Sequence, residues 1–181
     1  MSRFLIALPF VLALATAHPA QAQERPGVEV AVVPARPEDV ATINGIVKAF
    51  YEVISGPAGQ PRQWARDRTL YIADVRFVSM DIREGKPHAT IMSHQDFVDR
   101  SDRGLVAEGF HETEIHRVTR AFGNTTHVFS TYEMKDGAGK PIGRGVNSIQ
   151  LFWDGSRWWI SGVAWDDERP DNPIPADLLP K

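Results

Sequence analysis

The amino-acid sequence predicts an α+β fold, with three helices in the first half packed in a curved, mainly antiparallel sheet. Three observations predict it. Val40, Ile43, Val47, Phe50, Tyr51 and Ile54 recur at helical spacing. After Gly109 the chain turns to long stretches of Thr, Val, Ile and aromatic residues. Short turns, above all Asp154-Gly155, separate those stretches as hairpins require.

The chain has 181 residues, the size of one domain. Residues 1–22 are expected to be a secretory signal. Arg3 gives a positive start, and residues 4–17 form an apolar run of about 14, short of the ~20 that span a bilayer. Ala20-Gln21-Ala22 places small residues where a signal peptidase cuts, and Ala15-Thr16-Ala17 offers a second choice. The protein is therefore expected to be exported, to a periplasm or the extracellular medium. It has no cysteine, so an exported chain of this kind rests on packing alone. The formal net charge is −3 with both signs interspersed, which argues against nucleic acid as a partner. No later segment is apolar enough for a membrane span.

The elements follow in order. Residues 23–37, rich in Pro and Val, read as an extended arm, and 38–169 as the folded domain. Pro37-Glu38-Asp39 opens a helix that Gly56-Pro57 ends. A short second helix over 61–70 carries Trp64. Residues 75–82 and 88–91 form a small hairpin about the turn at Glu84-Gly85. Ser93 and Asp96 make a capping box for a third helix, reaching about residue 103. Four strands follow, over 110–122, 126–134, 146–153 and 157–165. Residues 170–181 hold four prolines and read as an extended tail.

The stretch HETEIH (111–116) resembles a metal motif. On a helix, zinc ligands need two histidines four apart. Here His111 and His116 are five apart on a predicted strand, which sends them to opposite faces unless a bulge intervenes. Glu112, Glu114 and His116 share a face, but alternating charge is also ordinary strand surface. No metal is assigned, and no cofactor is implied.

The runs GFHETEIHRVTRAFGNTTHVFSTYE (109–133) and RGVNSIQLFWDGSRWWISGVAWDDERPDNPIP (144–175) resemble the NTF2-like superfamily, and within it the SnoaL-like, DUF4440-type branch. The resemblance covers about residues 38–179. It implies an NTF2-like cone, a homodimer through the outer sheet face, and a hollow for a small molecule. That superfamily holds ketosteroid isomerases, dehydratases, cyclases and proteins that only bind or assemble. Fold does not choose among them.

Within that frame, Tyr51, Trp64, Tyr132, Ser148, Gln150 and Trp165 are expected to line a ligand pocket. Tyr51 serves either a ligand or core packing. Gln150, set among apolar strand residues, needs a partner, a water or a ligand. His94 and His127 are candidate bases or ordinary histidines, while Asp74 and Asp81 are expected in turns. No catalytic residue is assigned. Trp158 and Trp159 must face opposite ways, and Trp153 or Trp159 suits the dimer face. The function expected is binding of a small hydrophobic molecule. The alternatives are an isomerase, dehydratase or cyclase using general acid–base catalysis, or a structural homodimer without ligand.

Overall fold

The computed structural model describes residues 26–181. The expected signal at 1–22 and the first residues of the arm lie outside the described residues. The helices are α1 (Pro37–Val40), α2 (Ile43–Ile54), α3 (Trp64–Arg68) and α4 (His94–Glu108). The strands are β1 (Tyr71–Arg83), β2 (Lys86–Met92), β3 (Phe110–Phe122), β4 (Thr125–Asp136), β5 (Pro141–Trp153) and β6 (Trp158–Asp167). They form one sheet in the order β2-β1-β6-β5-β4-β3, in which only β1 and β6 run parallel. The sheet is curved and open, and the helices sit in its hollow. This is the expected α+β cone.

The first expected helix is broken in two. Thr42 adopts an extended backbone and its side chain accepts a hydrogen bond from Gly45 N–H at 2.9 Å, so it caps α2 afresh. A Cβ on Gly45 would lie 2.2 Å from the Glu38 carbonyl oxygen. Glycine therefore lets α1 fold back against α2. Arg66 of α3 ties the three helices together. Its guanidinium donates to both Asp39 oxygens at 2.7 Å and to Glu52 at 2.9 Å.

Helix α2 fills the hollow. Ile46, Val47 and Val53 are fully buried with Val128, Ile149, Leu151 and Ile160 of the sheet. Each such side chain contributes about 1.5–3 kcal/mol by leaving water. Helix α4 is held less by burial than by polar ties. Its capping box at Ser93 and Asp96 is present, and such caps contribute about 1 kcal/mol. Of its side chains only His94 and Val98 are buried. Trp64 Nε1 donates to Asp102 at 2.6 Å, and Arg62 donates to the Leu105 carbonyl. The arm adds two bonds, from Val28 N–H to Asp99 (2.7 Å) and from Gln95 to the Val28 carbonyl (2.8 Å).

Bulges shift the strand alternation, as an inserted residue must, and two of them bear on the site. One, at Ile115, interrupts the pairing of β3 with β4 between Glu114 and His116. The other, at Ser161, interrupts β5 with β6. Beyond Asp167 the chain crosses the outer face of the sheet. There Ile174 is buried and Thr131 donates to the Leu178 carbonyl at 2.6 Å.

Candidate functional site

A cavity of about 180 Å³ lies between α2, α4 and the sheet. Phe50 and Ile54 come from α2, Tyr71 and Phe77 from β1, and Phe97, Ser101 and Leu105 from α4. Phe110, Met134 and Trp165 extend the apolar wall along the strands. Phe97 organises it. Its ring stacks on Phe77 at 4.9 Å between centroids and meets the edge of Trp165 at 6.1 Å.

The polar end carries Glu112, Tyr132, Asn147 and Asp167. The strand register places them. Glu112 is paired with Met134, Glu114 with Tyr132, Asn147 with Trp165 and Asp167 with Gly145, so these side chains share the inner face. Tyr132 O–H donates to Asp167 Oδ1 at 2.6 Å. The Asn147 amide donates to Glu112 Oε1 at 3.3 Å and to the Tyr51 hydroxyl at 3.2 Å. Tyr51 and Ser130 share a bond of 2.6 Å, and Ser130 donates to Glu114 at 2.5 Å. Arg117 closes the line with two bonds to Glu114 and one to Asn44.

Glu112 has an unusual setting. It forms part of the wall of the cavity and also of a polar cleft of about 360 Å³, which Lys48, Glu52, His111 and Arg117 help to line. The side chain is half-buried by surface area and lines both of these half-open spaces. Desolvation lifts its carboxyl from 4.5 to about 8; the Asn147 bond opposes this and the Asp167 charge adds to it. Glu112 therefore holds its proton near neutral pH. Burial also raises the Tyr51 and Tyr132 phenols, the first aided by the Glu112 charge and the second by the bond to Asp167.

The structure places Tyr132 and Trp165 in the cavity wall. Tyr51 stands behind it, reaching Glu112 through Asn147. Trp64 is one layer further out, its ring edge-on to Phe97. Ser148 and Gln150 lie outside this cavity. They point to the outer face, where Ser148 bonds His127 at 2.8 Å and Gln150 is exposed. The inner parity of β5 belongs to Asn147, Ile149 and Leu151. The bulge at Ser161 likewise puts Trp158, Ile160, Val163 and Trp165 on one side, against the expected alternation.

His94 lies behind the Tyr71 wall. Its Nε2 is 2.8 Å from Asp67, which also accepts from Tyr71 O–H at 2.9 Å. Asp74 and Asp81 belong to β1 rather than to turns. In HETEIH, the bulge turns His116 outward beside Thr131, so it does not share the face of Glu112 and Glu114. Among the described residues, no three His, Asp or Glu side chains gather as metal ligands.

Glu112, Asn147 and Asp167 are the site residues that sequence reasoning missed. Asn147 had a signal, since it is the polar member of the aliphatic parity of β5. Asp167 had one too, two residues beyond Trp165 on the same parity.

No family model matches the chain, and no curated protein matches it. Solved structures do. A protein of unknown function with a cystatin-like fold from Nostoc punctiforme is 8% identical, with a TM-score of 0.53 over 71% of this chain and 90% of its own. The Kfla4162 protein from Kribbella flavida is 11% identical, with a TM-score of 0.54 over 71% of this chain and 90% of its own. An NTF-2 like protein of unknown function from Silicibacter pomeroyi superposes more loosely, at 13% identity and a TM-score of 0.45 over 71% of this chain and 94% of its own. Likeness at this level of identity concerns the fold alone, an α+β cone shared with the cystatin-like fold of the Nostoc protein.

Proposed function

We propose that the cone binds a small, largely apolar molecule, whose one polar group meets the Glu112–Asn147–Asp167 end. The observation that supports this reading is the cavity itself. A core packed by its own side chains would leave no such space behind Phe97, and small-molecule sites combine apolar walls with a few convergent polar groups. The test is native mass spectrometry of the protein purified from its host. Ser101 lines the cavity from half-exposed α4, so Ser101→Phe should fill it. A bound small molecule is expected in the wild type and in Gln150→Ala, and lost in Ser101→Phe. Equal occupancy in Ser101→Phe would remove the cavity from consideration.

A second reading is general acid–base chemistry on a cyclic or carbonyl substrate. One observation favours it. Glu112, its carboxyl raised by burial to about 8, lines the same cavity as Tyr132 and could face a bound substrate, as a general acid requires. Its test is exchange of substrate protons in deuterated water, which Glu112→Gln should abolish.

Membership of the SnoaL-like branch and export belong to the same reading. Export is supported by the N-terminal apolar run; among the described residues no helix is long and apolar enough to cross a membrane. A homodimer through the outer sheet face is supported by Phe129 and Ile91, which are exposed there at 37% and 68%. Sedimentation velocity is expected to give twice the chain mass. A single-chain mass would remove the dimer.

A further inference from the structure

We propose that the molecule in the cone is an organic cation, a primary or substituted ammonium on an apolar body. This rests on the binding reading above and names its ligand class. The cavity wall is aromatic on several sides, with Phe50, Tyr71, Phe77, Phe97, Phe110 and Trp165. Ring faces attract a cation, most strongly when it is desolvated. Two carboxyl groups, Glu112 and Asp167, stand at one end, and among the described residues no Lys, Arg or His lines the cavity.

Arg169 is the cation near Asp167, and it donates to that residue's backbone carbonyl at 3.1 Å rather than to its carboxyl. Among the described residues, Glu112 and Asp167 take part in no ion pair. The cations of the neighbouring cleft are already engaged, Lys48 with Glu52 and Arg117 with Glu114. Asn147 satisfies one Glu112 oxygen, and the other has no donor among the described residues. A half-buried carboxyl that keeps one oxygen free towards the cavity gains from a ligand that brings a positive charge. An anion finds no Lys, Arg or His to pair with among the described residues of the wall. A neutral ligand can use the Glu112 proton, but leaves the aromatic walls without the charge they favour.

Cavity size limits the ligand. An apolar cavity of about 150 Å³ holds one benzene ring, so about 180 Å³ takes a ring with a short chain.

Binding an ammonium beside Glu112 should expel its proton. The groups facing Glu112 are Asn147 on β5, Asp167 on β6, Tyr132 on β4 and Tyr51 on α2. On the cleft side they are Lys48, Glu52, Glu114, Arg117 and His111. Only His111 among the cleft cations lacks an ion-pair partner among the described residues, and His111→Gln isolates its contribution.

The experiment is titration calorimetry of the full protein with three probes of one shape: phenethylamine, 2-phenylethanol and phenylacetate. Phenethylamine is expected to bind at least about tenfold more tightly than 2-phenylethanol, and phenylacetate not measurably. In buffers of different ionisation heat, phenethylamine should release close to one proton at pH 7. Its affinity should rise about tenfold per pH unit from pH 6 to 8 and then level off. Glu112→Gln should remove the proton release and the pH dependence while 2-phenylethanol still binds. His111→Gln should keep both. If 2-phenylethanol binds as tightly as phenethylamine, or no proton is released, the cation inference fails and the binding reading stands. If none of the three probes binds the wild type, the binding reading fails with it.

Discussion

Gly145→Ala is expected to destabilise the protein by about 3–5 kcal/mol, although it adds one methyl group to a strand. A Cβ at this position would lie 2.2 Å from the Tyr132 hydroxyl oxygen, 2.5 Å from the ring carbon that bears it and 2.6 Å from the Asp166 carbonyl oxygen. None of these atoms can yield cheaply. Asp166 O is backbone in the adjacent strand, and the Tyr132 ring is buried. Overpacking a core costs about 1–3 kcal/mol. Displacing Tyr132 also breaks its 2.6 Å bond to Asp167 and strands a buried hydroxyl, at about 1–3 kcal/mol more. For a domain of this size each kcal/mol lowers Tm by roughly 2–4 °C, so a fall near 10 °C is expected by calorimetry. Tyr132→Phe provides the comparison. It removes the bond without the clash, and should cost clearly less. Equal losses in the two variants would show that the bond, not the close approach, carries the effect.

That residue also marks what sequence reasoning can reach. The cone itself was legible, because α2 and the strands announce themselves through spacing, and Asp154-Gly155 through turn chemistry. Boundaries slipped where a local device overrode the pattern. Thr42 recaps a helix whose apolar spacing runs straight through it, and bulges at Ile115 and Ser161 reverse strand parity in mid-strand. A period of two cannot foresee an inserted residue. Ser148 and Gln150 were placed in the cavity for another reason. Alternation separates two faces of β5 without saying which is inside, and the resemblance, by position relative to the Asp154-Gly155 turn, points to the Ser148–Gln150 face. The aliphatic pair Ile149 and Leu151 identifies the inner face, and puts Asn147 there with them. Glu112 and Asp167 line one cavity from β3 and β6, with two strands between them. Residues 55 apart in the chain meet only once the sheet has curved, and no short motif records it.

Glu112→Gln is expected to be more stable than the wild type at neutral and alkaline pH, by an amount that grows with pH. The sign follows from where the proton sits. In the unfolded chain the carboxyl has its ordinary value near 4.5, and in the fold burial raises it to about 8. Between these values the native state keeps a proton that the unfolded chain has released. Stability is then fully present below about pH 4.5 and is lost as pH rises towards 8, at up to about 1.4 kcal/mol per pH unit. Above 8 both states are ionised and the loss stops growing. Glutamine does not titrate, and its side-chain oxygen can still accept from Asn147. Comparing the two proteins cancels every other titrating group to first order. Urea unfolding at intervals from pH 5 to 9 should give curves that nearly coincide at pH 5, then separate to on the order of 4 kcal/mol at pH 8 and run parallel beyond. A gap that stays constant from pH 5 to 9 would mean that water reaches Glu112 freely. The carboxyl would then be an ordinary surface acid, and neither the proton release on amine binding nor a general-acid role would have a physical basis.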